Sequence, residues 1–346
     1  MLFIKRIIFC SILTFSFLAS AMAGESSSKA GTAVAQFLKI GVGARAMGMA
    51  GANTATAGDV YGLYWNPAAV TNVRNVTFAG VYSDWFAGIE HQFFGLVLPI
   101  SPSQNIGVQV IALNMDPIEI TTVTDPDGTG EFYEASDLAI GVTWAGQLTN
   151  YFSVGLTGKY IQQTIYNESA STFAFDVGSL LNIPYYGFKL GMNFSNFGGK
   201  MRLDGRDLIR EYDLNPGNTL NDGVEAKLKT EPWELPVNFA VGVAMDIIAP
   251  GESVFPMQNN RLTFSMSGNH PADADENAAF GLEYGFKELI FLRSGYRMNK
   301  DLEDMFYGLG LKVPLSGGTF FTVDYSLASY GQLDYIHIFS SSITFN

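Results

Sequence analysis

The stretch Phe188-Lys189-Leu190-Gly191-Met192-Asn193-Phe194-Ser195 sets a large apolar side chain at every second position and a small or polar one between. Successive side chains of a strand point to opposite faces, so a period of two describes a strand with one greasy face and one small, polar face. The same alternation sets Val237, Phe239, Val241, Val243 and Met245 against Asn238, Ala240, Gly242, Ala244 and Asp246. It sets Tyr307, Leu309, Leu311 and Val313 against Phe306, Gly308, Gly310 and Lys312, and Phe321, Val323, Tyr325 and Leu327 against Thr322, Asp324 and Ser326.

Two architectures carry such strands. A soluble sandwich hides its apolar face against a second sheet and uses strands of about 5 to 6 residues. A transmembrane barrel turns that face to lipid and needs about 9 to 11 residues per strand. From Val76 onward the segments are long, each closed by Gly, Pro, Asn, Asp or Ser: 76–85, 89–99, 105–115, 136–147, 151–164, 170–182, 186–197, 236–247, 260–269, 275–286, 288–297, 304–314, 318–328 and 332–346. The expectation is an all-β fold, a 14-stranded antiparallel transmembrane β-barrel with an N-terminal hatch or plug segment in the lumen. Strand number is even, as bacterial single-chain barrels require. Both long connections, 116–135 and 198–235, fall at odd positions and so share one end, while most even connections are tight turns; 248–259 is an exception. Trp85, Trp144, Tyr160, Tyr284, Tyr296 and Tyr325 stand near segment ends, where interfacial aromatic girdles lie. Phe345 is the penultimate residue of a mainly apolar last strand.

The composition agrees. Of 346 residues 47% are hydrophobic and 14% aromatic, yet only 15% are charged, against about a quarter in soluble domains. Beyond the N-terminus no apolar run is long enough for a transmembrane helix. Residues 1–23 read as a signal peptide, with Lys5 and Arg6, an apolar stretch from Ile7 to Leu18, and Ala21-Met22-Ala23 before cleavage. Its loss removes Cys10, the single cysteine, and with it disulfide, zinc-thiolate, iron-sulfur and thiol-nucleophile chemistry. It also leaves 18 basic against 33 acidic residues, which makes nucleic acid an unsuitable partner. The remaining domains are 24–75, the hatch segment, and 76–346, the barrel.

Residues 24–75 do not alternate. Gly41-x-Gly43-x-x-Ala46 matches a dinucleotide fingerprint, but that motif needs a βαβ unit around it, and alternating strands follow instead. The other reading is a compact segment of small residues packed inside something, with Arg45 seeking a carboxylate. The run Gly43-Ala44-Arg45-Ala46-Met47-Gly48-Met49-Ala50-Gly51-Ala52, followed by Tyr64-Trp65-Asn66-Pro67-Ala68, resembles the hatch region of FadL-type outer-membrane proteins and, more narrowly, their PorV/PorQ-like (UPF0164-like) branch. The resemblance implies a 14-stranded barrel whose N-terminal segment plugs the lumen, with Gly41, Gly43, Arg45, Gly48, Trp65, Asn66 and Pro67 in the plug motif. For FadL-type members it implies passive transport of long-chain fatty acids or other hydrophobic small molecules. For PorV-like members it implies contact with a type IX secretion translocon and with secreted cargo proteins, and for PorQ-like members surface attachment.

No HExxH, GxSxG or phosphate-loop motif occurs, and His91, His270 and His337 lack metal-ligand spacing, so the protein reads as a non-enzyme without a cofactor. Asp125, Asp127 and Glu131 alternate as calcium ligands do, though a solvated turn is the preferred reading. By parity Lys159, Asp176, Lys189, Asp246, Glu283, Arg293, Arg297, Lys312 and Asp324 face the lumen, as a network holding the plug or as a polar path around it. Inward Phe93, Ile161 and Phe306 either line a pocket for a hydrophobic ligand or pack on the plug. The expected location is the outer membrane of a Gram-negative-type bacterium, in contact with its lipid, as a protein-binding accessory of secretion or surface assembly or as a hydrophobic-ligand transporter. Such a barrel should migrate differently before and after boiling in detergent gels and fractionate with outer membranes. A freely soluble product would instead establish the sandwich.

Overall fold

A computed structural model describes residues 31–213, 223–251, 253–299 and 303–345. The signal-peptide expectation for residues 1–23 lies outside the described residues.

Fourteen long strands follow in chain order: β1 (Thr77–Asp84), β2 (Ile89–Ser101), β3 (Gln104–Met115), β4 (Ala135–Gln147), β5 (Phe152–Ile165), β6 (Glu168–Ile183), β7 (Phe188–Gly198), β8 (Asn238–Ala249), β9 (Asn260–Pro271), β10 (Asn277–Phe286), β11 (Ile290–Met298), β12 (Met305–Pro314), β13 (Phe320–Ser329) and β14 (Tyr335–Thr344). Each pairs antiparallel with its successor, and β14 returns to β1 through a ladder from Thr77↔Thr344 to Asp84↔His337. The sheet is therefore closed. Closure suits lipid, because an open edge there would leave N–H and C=O groups with no water to bind. The strand ends differ from the sequence expectation by no more than about three residues, which is the usual uncertainty of strand boundaries.

Burial follows the parity. In β12 the pattern alternates strictly from Met305 to Leu311, with Tyr307, Leu309 and Leu311 outside and Phe306, Gly308 and Gly310 buried. In β7 Met192 and Phe194 are exposed, while Gly191 and Asn193 are buried. Of the aromatic residues assigned to interfacial girdles, Trp144 and Tyr296 are exposed on the outer wall. Trp85 is a correction. It turns toward the barrel mouth and stacks edge-on with Phe86 and Tyr330, because a turn at Phe86–Gly88, with Ala87 in left-handed backbone, follows it.

Connections on one end are short. At the other, 116–134 holds the ribbon Ile118–Glu119 with Phe132–Tyr133, and 199–237 holds the ribbon Ile209–Tyr212 with Val224–Lys227. Two short pieces extend the sheet at opposite rims, Asp204–Gly205 on β6 at the long-loop rim and Phe255–Pro256 on β8 at the short-turn rim. The second accounts for the over-long connection after β8, which folds back to run parallel to Ile248–Ala249.

The interior core belongs to residues 33–73. Two one-turn helices, Ala44–Met47 and Gly62–Trp65, and two 3-10 turns, Gln36–Lys39 and Pro67–Asn72, give this segment its shape. Val42, Met47, Leu63 and Val70 pack with the inward Phe93, Ile161 and Phe306 in one buried cluster. The segment begins at the long-loop rim, where Ala33 pairs with Glu234, and ends at the short-turn rim, where the Asn105 amide donates to the carbonyls of Val70 and Val73.

Leu309 lies mid-strand on the lipid face and is 55% exposed. Leu309→Arg should cost about 2–4 kcal/mol in unfolding from lipid vesicles. A loss below about 0.5 kcal/mol would mean that this face does not meet the bilayer.

Candidate functional site

The segment is held to the wall by ions and by close backbone approach. Arg45 lies in the short helix that follows Gly43, whose φ of 86° suits glycine and whose added Cβ would meet the Tyr61 ring. Its guanidinium grips Glu283 of β10 through Nε at 2.8 Å and Nη2 at 3.2 Å, and Nη1 reaches Asp59 at 2.9 Å. Glu283 also accepts from Arg293 at 2.7 Å and meets Arg261 at 2.8 Å, and Arg293 continues to Asp324 at 2.6 Å. One nearly fully buried carboxylate thus faces three guanidinium groups drawn from the segment, β9 and β11. Burial alone would weaken the charge on Arg45, but Glu283 and Asp59 outweigh it and hold its pKa well above the usual value.

The second clamp is steric. Asn66 is fully buried; its side chain caps the Pro67–Asn72 turn by accepting from the Ala68 N–H at 3.1 Å, and its amide donates to the carbonyls of Thr54 at 2.8 Å and Ser179 at 3.0 Å. Pro67 occupies the first position of that turn, where its missing N–H costs nothing. On the wall, a Cβ at Gly155 would fall inside the Pro67 carbonyl group, and one at Gly295 would strike the Met49–Ala50 peptide. Gly48 and Gly308 meet nearly backbone to backbone. Trp65 donates its indole N–H to the Val42 carbonyl at 2.8 Å. Gly41 packs under Met47 and Trp65, with no room for a side chain. Among the described residues no strand precedes the glycine run, and a one-turn helix and turns follow it where the dinucleotide motif needs a βαβ unit.

Above and below this packed middle lie two cavities that share no lining residue. The upper, of about 510 Å³, lies toward the long-loop rim and is bordered by Trp65, Asn193, Asn238, Asn277 and Pro236. The lower, of about 790 Å³, lies toward the short-turn rim and is bordered by Asp59, Lys189, Asp246, Arg261, Lys312 and Asp324. The lumen charges expected from parity divide between them. Lys159 pairs with Asp176 at 2.8 Å in the upper half, where Asn196 is bonded to both. Arg297 pairs with Glu303 there, donates to the Ala50 carbonyl and stacks on Phe306. Asp246 accepts from Thr263 at 2.6 Å, and Thr263 from Arg261 at 2.8 Å. Lys312 lies over the Phe320 ring at 4.5 Å.

Sequence reading missed Arg261, although it shares its parity with the inward Thr263, Ser265 and Ser267. It also missed the Lys39–Asp273 pair at 3.1 Å, which joins the segment to the connection after β9. Asp125 accepts from Thr122 at 3.3 Å and Thr124 at 3.0 Å in a turn, and no group of three or more acidic, His or Cys side chains among the described residues is placed to hold a metal ion. In the loop after β7, the ammonium of Lys227 beside Asp204 lowers the carboxyl pKa. Burial pushes the Tyr330 hydroxyl up to about 12.

A family model described as type IX secretion system protein PorV matches residues 23–254. No curated protein sequence matches. Among solved structures, the toluene transporter TbuX of Ralstonia pickettii superposes with a TM-score of 0.55 at 9% identity, covering 88% of this chain and 99% of that one. The CymD monoaromatic hydrocarbon channel gives 0.54 at 12% identity, over 88% and 96% of the two chains. The toluene transporter TodX of Pseudomonas putida gives 0.53 at 10% identity, with the same coverages. At these identities the likeness is one of fold.

Glu283→Ala removes the carboxylate that three arginines share and leaves each with one partner, Asp59, Asp324 or Glu288, and should cost about 3 kcal/mol. Limited proteolysis of the refolded protein should then cut between residues 44 and 66. Glu288, which also meets Arg261 but is largely exposed, should cost less than about 1 kcal/mol on the same change. Equal effects at the two positions would show that the buried cluster does not hold the segment.

Proposed function

The chain belongs to the PorV family of type IX secretion proteins, and on that premise we propose that this outer-membrane β-barrel is a non-enzymatic, protein-binding accessory of secretion or surface assembly. In this reading residues 24–75 are a plug fixed in the lumen by Arg45, Gly48, Trp65, Asn66 and Pro67, and the partners are a secretion translocon and secreted cargo proteins. The observation that supports it most is the separation of the two cavities by a segment wedged against wall glycines and tied by Arg45 to Glu283. A passive channel needs a passage, whereas a scaffold for proteins needs a rigid rim. The large connections at 116–134 and 199–237 share that rim, which in outer-membrane barrels faces outside.

The second reading is a FadL-like passive transporter of long-chain fatty acids or other hydrophobic small molecules. The fold shared with aromatic-hydrocarbon channels favours it. The chemistry of the lumen does not: Phe93, Ile161 and Phe306 are spent on packing the segment, and asparagines and ion pairs border the upper cavity.

Affinity purification from detergent-solubilised outer membranes separates the two. Co-purification of a much larger barrel or of secreted proteins, retained after a high-salt wash, is the expected result. Mass spectrometry showing bound fatty acid or hydrocarbon, with no protein partner, would overturn the secretion reading in favour of transport.

A further inference from the structure

The chain carries 33 acidic residues against 20 basic ones, yet six basic side chains border the lower cavity against four acidic ones. Most of these charges are already matched. Arg45, Arg261 and Arg293 share Glu283 and take Asp59, Glu288 and Asp324 as their second partners. Lys189 on β7 stands opposite Ala244 on β8, a diagonal neighbour of the inward Asp246, so those two charges balance across adjacent strands. Arg74, beyond the turn at Pro67–Asn72, is exposed and donates to the Pro102 carbonyl at 2.8 Å. Lys312 differs from all of these. Among the described residues no carboxylate lies within ion-pair distance of its ammonium, which lies 4.5 Å from the centre of the Phe320 ring.

The groups beside Lys312 are hydroxyls. Lys312 on β12 stands opposite Thr322 on β13, and Thr322 opposite Ser342 on β14. All three side chains face inward at one level of three neighbouring strands, half-buried and bordering the lower cavity near the short-turn rim. Neither hydroxyl has a hydrogen-bond partner among the described residues. Opposite residues of a sheet set their Cβ atoms about 4.5–5.5 Å apart, and a hydroxyl reaches an oxygen acceptor at about 2.7–2.8 Å. One group with several oxygens, resting over the row, therefore meets both hydroxyls and keeps an oxygen for the ammonium. An ammonium only donates, so that group is an anion. Asp324 lies two residues along β13 from Thr322, but it is 4% exposed and its charge is taken up by Arg293 at 2.6 Å.

We propose that Lys312, Thr322 and Ser342 form a binding site for a phosphate group on the periplasmic side of the barrel. Three donors on three strands match the three acceptor oxygens of a phosphate better than the two of a carboxylate. At about 790 Å³ the cavity is the size of an ordinary ligand pocket, which leaves room for the organic part of a small phosphate ester. It shares no lining residue with the upper cavity, so the ligand is held here and not passed across the barrel. The site goes beyond the protein-binding reading and stands or falls apart from it.

The test is calorimetric titration of the purified barrel in detergent micelles with glycerol 3-phosphate and with inorganic phosphate, in about 0.15 M sodium chloride to screen loose attraction. Saturable binding at one site per barrel is expected. Lys312→Gln should weaken it at least tenfold through loss of a charge-assisted bond, and Thr322→Val combined with Ser342→Ala about tenfold. Lys287 also lies over a phenyl ring, that of Phe286, but does not border the cavity, so Lys287→Gln should leave binding unchanged. Tenfold tighter binding of glycerol 3-phosphate assigns the site to an ester, and equal or weaker binding assigns it to the free ion. Absence of saturable binding of both, or equal weakening by Lys287→Gln and Lys312→Gln, overturns the site. Should Lys312→Gln fail to fold, lysine acetylation of the natural protein read by mass spectrometry decides. Saturating ligand should then protect Lys312 and leave Lys287 reactive, and equal protection of the two overturns the site.

Discussion

Closure of the sheet between β1 and β14 is the constraint on which everything else depends. In hydrocarbon no water is present to satisfy an open strand edge, so the Thr77–Asp84 edge must find His337–Thr344 or the barrel cannot exist. Closing fourteen strands encloses a space that their own side chains do not fill, many of them being Gly, Ala and Ser. The space is filled by chain from outside the sheet. Residues 33–73 do this, and their small residues match the small residues of the wall, so that backbone approaches backbone at Gly48 and Gly308.

Filling an interior with a separate segment raises the question of what keeps it there. Apolar contact supplies much of the answer through Val42, Met47, Leu63 and Val70. It is not directional, and a segment held by grease alone could slide. Directional grip comes from Glu283, whose two oxygens are shared among Arg45, Arg293 and Arg261, and from Asn66, which bonds to Thr54 within the segment and to Ser179 on the wall. Buried ion pairs are poor sources of net stability but strong sources of register, because a misplaced segment would leave several charges unpaired at once.

The fold shared with hydrocarbon channels is a statement about the barrel and not about what passes through it. A scaffold of this kind can carry unrelated activities, and the activity is decided by the side chains that face the lumen. Here those side chains are asparagines, paired charges and glycines occupied by the segment. A lumen so furnished suits polar recognition, and the large connections around the rim give a protein partner something to meet.

Alternation by itself determined the barrel. A period of two, sustained over segments too long for a sandwich, fixes which residues face lipid and which face inward, because a one-residue slip would expose every polar group to the bilayer. The same parity placed Lys159, Glu283, Arg293 and Asp324 inside, and could have placed Arg261 there as well. Parity says nothing of partners. That Arg45 would reach Glu283, 238 residues away in sequence, depends on where a non-alternating segment comes to rest in a closed space. So do the run of that segment from the long-loop rim to the short turns and the turning of Trp85 into the mouth. These are outcomes of packing between elements distant in sequence, and no local pattern encodes them.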